Sequence, residues 1–218
     1  KDIKTLFEIY KIISKYKPDL VFSYTLKPIL YTSLIARLFK NINCYSLFTG
    51  LGYVFINNSF RIKVLRFFIS YLIKFSLYKN KGLIFQNVDD SLLIKKFLDS
   101  KSIKNISIVN GSGVNTETFY ATSMPKEKSF LMISRILRDK GIYEYIKASR
   151  MIKKKYPNIS IGIAGWFDTN PSAINREEFF KIIGNDIIFY ENIKDIRQII
   201  KKYSIVVLPS YREGLPRS

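Results

Sequence analysis

The sequence predicts an α/β protein of two domains, each built around a parallel sheet, and three observations carry that reading. Short apolar runs alternate with amphipathic segments along all 218 residues, the pattern of successive strand and helix units. The alternation lapses once, at residues 111–128, where Gly, Ser, Thr, Asn, Pro and charges cluster; this reads as a linker between domains 1–120 and 121–218. Apolar residues make up 47% of the chain, enough for real cores and too many for disorder.

Taken in order, Ile3, Leu6, Phe7, Ile9, Tyr10 and Ile13 keep helical spacing and predict a helix to Tyr16, stopped by Pro18. A strand follows at Leu20 to Thr25, then a helix at Ile29 to Phe39 and a strand at Cys44 to Thr49. The helix Arg61 to Leu77 is apolar over most of its circumference, which favours a buried, sheet-covering helix over a membrane-facing one. Strands at Gly82 to Gln86 and Ile106 to Asn110 flank a helix at Asp90 to Leu98, for which the Asp89-Asp90 pair reads as an N-cap and not as a metal signature. Beyond the linker come a strand at Phe130 to Ser134, a helix at Ile142 to Lys155 stopped by Pro157, and a strand at Ile159 to Ala164. A strand at Ile187 to Tyr190, a helix at Asp195 to Lys202 and a strand at Ile205 to Pro209 complete the series, with further helices filling the gaps.

Composition narrows the chemistry. There is no histidine, which excludes Ser-His and Cys-His nucleophile pairs, His-ligated zinc and histidine general bases. Cys44 is the sole cysteine and lies in an apolar run, so a buried, reduced thiol and a cytoplasmic setting are expected. The 36 Lys and Arg exceed the 17 Asp and Glu by 19 charges, 11 before Ala121 and 8 from there on. Such a field attracts nucleotides, diphosphates, nucleic acid or acidic lipid headgroups, although AT-rich codon bias also favours lysine. No 18-residue uncharged apolar run and no signal-peptide pattern occurs. The chain opens on Lys1 in mid-helix and stops at Ser218 just after a strand, so a fragment lacking both ends, inactive by itself, is expected.

Ligands of open parallel sheets bind beyond the carboxyl ends of strands. After the Phe130 to Ser134 strand, Arg135 and Lys140 bracket a strand-to-helix loop, a fork donor and a point charge suited to a diphosphate. Alone, such a pair is more often solvated surface. After the Ile205 strand, Glu213 lies in a loop, Gly214 permits close backbone approach, and Pro216 suits a first helical turn. Together the two strand ends describe cations for a diphosphate and a carboxylate for hydroxyls. Trp166 after Gly165 suits base stacking or plain packing, and the glycines of Thr49 to Tyr53 suit a loop over a cleft or only a tight turn.

These residues also carry a resemblance. Ser134-Arg135-Ile136-Leu137-Arg138-Asp139-Lys140-Gly141, Gly165 and Leu208-Pro209-Ser210-Tyr211-Arg212-Glu213-Gly214-Leu215-Pro216 resemble the donor-nucleotide domain of family 4 retaining glycosyltransferases of the two-Rossmann (GT-B) type. Thr25-Leu26-Lys27-Pro28, Tyr31, Ala36-Arg37, Thr49 to Phe55 and Gln86-Asn87 to Asp90 are similar to the acceptor domain of bacterial members that build lipid-linked or capsular polysaccharides; Asn110 to Asn115 is similar to their linker-proximal segment.

The resemblance implies two Rossmann-like domains facing a cleft. It implies donor-diphosphate binding by Arg135 and Lys140, sugar contact by Glu213 as the first glutamate of an E-x7-E element, and further donor contacts at Gly165, Gly214 and Leu215. Lys27, Thr49, Gly50 and Gly52 would stand on the acceptor side. The second glutamate would fall beyond Ser218, and Pro216 replaces a glycine whose backbone N–H many members have there. Implied partners are a nucleotide-sugar donor, most simply UDP-linked, a polyprenyl-diphosphate-linked or polysaccharide acceptor, and an anionic membrane surface at the cytoplasmic leaflet. No cofactor, metal or nucleic acid is expected. The alternatives are a nucleotide-sugar epimerase on a similar fold, a non-catalytic sugar-nucleotide binder, and a basic RNA-binding protein.

Overall fold

A computed structural model describes residues 2–55, 59–98, 105–216 and 218. Backbone contacts divide the chain into two compact units: Lys1–Gly113 with Glu213–Arg217, and Val114–Arg212 with Ser218. The first division falls ahead of the expected 120/121 boundary, and the segment after Arg212 returns to the first unit.

The first unit runs α1 (Asp2–Tyr16), β1 (Leu20–Tyr24), α2 (Leu26–Ala36), β2 (Asn43–Phe48), a 3-10 turn at Tyr53–Phe55, α3 (Phe60–Leu77), β3 (Gly82–Phe85), α4 (Val88–Lys95) and β4 (Ile106–Ile108). Its strands lie in the order β1-β2-β3-β4, all parallel. Ile29 of α2, Phe48 of β2, Ile73 of α3, Phe85 of β3 and Ile94 of α4 are buried together, with the Phe48 and Phe85 rings stacked at 4.8 Å. α2 begins ahead of the expected Ile29 because Pro28 sits in its first turn, where a backbone N–H has no helical partner to lose. The cap of α4 is Asn87, not the Asp pair: Asn87 Oδ1 accepts the Asp90 N–H at 2.7 Å, and both aspartates fall in the first turn.

The expected burial of α3 is not what forms. Ile73, Ser76 and Leu77 are buried, but Phe60, Val64, Phe67, Phe68, Tyr71 and Phe75 are exposed. An apolar circumference permits either outcome, and packing on α2 takes up only one side of this helix.

The second unit runs β5 (Ser129–Arg135), a 3-10 turn at Arg138–Lys140, α5 (Ile142–Lys155), β6 (Ser160–Trp166), α6 (Arg176–Ile183), β7 (Ile188–Glu191), α7 (Arg197–Ile200) and β8 (Ile205–Val207). All its strands are parallel, in the order β7-β6-β5-β8. Met132, Ile142, Ile146, Ile163 and Phe179 fill one face of this sheet; Leu131, Ala164, Ile199 and Tyr203 fill the other. The strands step outward from β5 through β6 to β7, then return to its opposite side with β8. This reversal is a topological switch point between β5 and β8, the position at whose carboxyl ends open parallel sheets bind ligands.

Candidate functional site

The residues singled out from the sequence fall into two groups, one in each unit.

In the second unit, Arg135 closes β5 and therefore stands at the switch point. Its Nη1 donates to Asp168 Oδ2 at 2.9 Å. Asp168, which the sequence reading passed over, follows β6; its Oδ1 accepts the Asn170 N–H at 2.9 Å. The Arg135 hydrogen bond, more than any other cause, holds the Asp168 carboxyl below the usual carboxylate range. A guanidinium fixed at one nitrogen is pre-aimed, with its other donors left for an anion.

Lys140 ends the 3-10 turn, half-buried, immediately before Gly141. Arg138, the third cation of this loop, is turned away: its Nη2 lies 2.9 and 2.8 Å from the two carboxylate oxygens of Glu178 on α6. The loop itself is locked against the segment after β8. Gly141 has φ +77, and a Cβ there would collide with the Pro209 carbonyl oxygen. The Tyr211 N–H donates to the Asp139 carbonyl at 3.0 Å. The Ser172 hydroxyl donates to Asp139 Oδ1 at 2.5 Å. Gly165, paired with Ser134, has a more local explanation: a Cβ would strike the Ser134 carbonyl oxygen of the adjoining strand. Trp166 beside it remains 48% exposed.

In the first unit, Thr49, Gly50 and Gly52 follow β2, with Leu51 buried between the two glycines. Glu213, Gly214 and Leu215 lie against this loop and the end of β3. Asn87 Nδ2 donates to the Glu213 carbonyl at 3.0 Å, and the Leu215 N–H reaches Gln86 Oε1 at 3.4 Å. A Cβ on Gly214 would collide with the Thr49 carbonyl oxygen and crowd Gln86 Oε1, so only glycine fits there. Thus Thr49 and Gly214, assigned from sequence to opposite sides of a reaction, are neighbours. Gln86 and Asn87 anchor the segment through bonds whose partners lie more than a hundred residues apart, a role that the sequence does not display. Lys27 stands apart from that group, in the first turn of α2, where its Nζ pairs with Asp2 Oδ1 at 2.6 Å. Thr25 just before it has φ +67, a strained conformation for a β-branched residue, at the carboxyl end of β1. Among the described residues no three His, Cys, Asp or Glu side chains gather where they could hold a metal ion.

Two family models match the chain: "Glycosyl transferase 4-like" over residues 1–87 and "Glycosyl transferases group 1" over residues 116–218. The N,N'-diacetylbacillosaminyl-diphospho-undecaprenol alpha-1,3-N-acetylgalactosaminyltransferase of Campylobacter jejuni is 27% identical over 233 aligned positions, covering 99% of this chain and 59% of that protein. The capsular polysaccharide biosynthesis glycosyltransferase CapM of Staphylococcus aureus is 21% identical over 98% of this chain and 58% of that protein. A solved sucrose-phosphate synthase from Thermosynechococcus elongatus superposes with a TM-score of 0.73 at 18% identity, covering 98% of this chain and 55% of that one, which shows the two-domain fold. The chain spans under two thirds of the length of each curated relative.

Proposed function

The chain belongs to the glycosyltransferases of the two-Rossmann type, and from that premise we propose that the full-length protein moves a hexose or N-acetylhexosamine from a nucleotide sugar to a lipid-linked or growing polysaccharide. The observation that carries this reading is the setting of Arg135 and Lys140: they flank the loop at the switch point of the group 1 unit, with Arg135 aimed by Asp168. In this reading the bond between the anomeric carbon and the diphosphate oxygen breaks, and an acceptor hydroxyl oxygen takes its place on the same face. The acceptor proton passes to the leaving diphosphate. In this reading rate enhancement rests on positioning and on cations facing the charge that develops on the leaving group.

The second unit serves the donor, and the first the acceptor. The donor is UDP-linked, Glu213 contacts the donor sugar, and the enzyme works at the cytoplasmic leaflet as a peripheral protein. Both curated relatives are described as transferases, which favours transfer over epimerisation. No described helix is long and apolar enough to cross a membrane. The test is a screen of sugar nucleotides with full-length protein and a polyprenyl-diphosphate-sugar acceptor, with the anomeric configuration of the product read by NMR. A lengthened glycan with the donor's configuration is expected. An isomerised sugar nucleotide without transfer, or binding of single-stranded RNA in preference to UDP, would overturn the reading.

A further inference from the structure

At the edge of the first sheet opposite Thr49 and Gln86, where β2 and β3 begin, the first unit holds a cavity of about 400 Å³. Its wall carries Arg37, Lys40, Lys79 and Lys81 and no acidic side chain. Lys40, Lys79 and Lys81 are exposed and, among the described residues, have no acidic partner. Ser33 of α2 lies at the floor, 2% exposed, with its hydroxyl oxygen unpartnered. Four cations converging without a counter-charge repel one another, and a bound anion removes that repulsion. The partial negative charge at the C-terminus of α3 opposes an anion here, but it is worth about half a charge and the cations outweigh it.

Next to this cavity lies a smaller one of about 280 Å³, sharing Arg37 and Tyr78 with it and otherwise formed by Tyr71, Lys74 and Phe75. Arg37 is fixed between the two, donating to the Phe75 carbonyl with its guanidinium carbon 4.0 Å from the centroid of the Phe75 ring. From there the exposed side chains Phe75, Tyr71, Phe68, Phe67, Val64 and Phe60 run up α3 at helical spacing. Arg61, Lys63 and Lys74 are also exposed along this helix. One end of the surface is therefore built for an anion and the rest for something apolar.

We infer that this surface seats an anionic phospholipid of the bilayer, its phosphate in the basic cavity and its acyl region along the aromatic stripe of α3. The site is separate from the loops at the carboxyl strand ends, so its occupant is a membrane lipid and not the reacting acceptor. The inference deepens the proposed peripheral attachment, giving it a stereochemical site in place of diffuse adhesion.

The test is co-sedimentation of full-length protein with phosphatidylcholine vesicles, with and without phosphatidylglycerol, in the absence of sugar donor. The variant Lys40→Ala/Lys79→Ala/Lys81→Ala is set beside Lys147→Ala/Lys154→Ala/Lys155→Ala, an equal change of charge on exposed positions of α5 in the second unit. At about fivefold per cation held at an anionic surface, the cavity variant should lose about a hundredfold, and the control variant about fivefold or less. Phe67→Ser should also weaken binding while leaving the melting temperature unchanged. Equal losses in the two triple variants would overturn the cavity while leaving membrane attachment in place. Absence of wild-type binding would overturn both. Displacement of wild type from vesicles by inorganic phosphate, beyond the effect of chloride at equal ionic strength, would assign the cavity to free phosphate instead. Self-association through α3 without vesicle binding would assign the stripe to a second copy of the chain. Transfer activity enters none of these readouts, so failure of the proposed chemistry is seen separately.

Discussion

At the end of β5 the pairing of Arg135 with Asp168 determines what a substitution there should do. Arg135→Ala removes a fixed donor and also leaves a carboxylate facing the place where the diphosphate charge would grow. Loss of one preorganised donor is worth about 3 kcal/mol, so Arg135→Ala and Lys140→Ala should each lower transfer by about a hundredfold. The double variant Arg135→Ala/Asp168→Asn should recover part of the first loss, and wild-type turnover in either single variant would remove the assignment. For Glu213 the bond to Asn87 runs through the backbone carbonyl, so Glu213→Gln keeps that anchor. It should leave stability within about 0.5 kcal/mol and cut transfer by about tenfold or more; a loss of activity that tracks a lowered melting temperature would mark the residue as structural. Cys44 is buried on β2, and burial pushes its thiol up from 9.0 to about 11. The unfolded chain loses this proton first, so the contribution to stability is complete below pH 9 and falls away as pH rises towards 11. That is a loss of up to about 3 kcal/mol, which denaturant titration of Cys44→Ala beside wild type should show as a flatter alkaline limb.

Among the elements, the turn from β5 into α5 bears the tightest geometric demand. Gly141→Ala must place a side chain at φ +77 against the backbone of Pro209, whereas Gly113→Ala meets only a positive φ in open space. The second should cost about 1 kcal/mol and the first about 3 kcal/mol, read as melting-temperature shifts; equal shifts would show that the β5 and β8 loops do not meet as described. The Gly141–Pro209 contact is not visible in the sequence, although the eight strands among the described residues are, because apolar β-branched runs between turn residues mark them within a residue or two. Local periodicity says nothing about which strand lies beside which, so the placement of β8 against β5 awaited the structure. The same limit hid the return of Glu213 and Gly214 to the first unit. α6 went unnamed even though Asn175 caps it, Glu177 and Glu178 fill its first turn, and Gly184 follows it. Those terminal signals could have found it. For α3 the sequence displays an apolar circumference, but which side is left open depends on what packs beside it.

At the scale of the whole molecule the surplus of 19 positive charges is shared, 11 before Ala121 and 8 after it, so the field belongs to both units and not to one patch. A field of this kind accelerates encounter with an anion and has little effect on how long the bound anion stays, because residence depends on short contacts such as those at Arg135. Screening separates the two effects. The Debye length shrinks from about 30 Å at 0.01 M to about 8 Å at 0.15 M ionic strength, shorter than the span of either unit. Over that range the association rate of UDP with the full-length protein should fall by about tenfold, and the dissociation rate should change by less than about twofold. Single-stranded RNA would behave differently, since each phosphate neutralised releases counterions and the equilibrium constant itself falls steeply with salt. Stopped-flow measurement of UDP binding across that range reads both rates at once. A salt-independent association rate would mean that the lysines are too dispersed to steer, leaving codon bias as the account of their number.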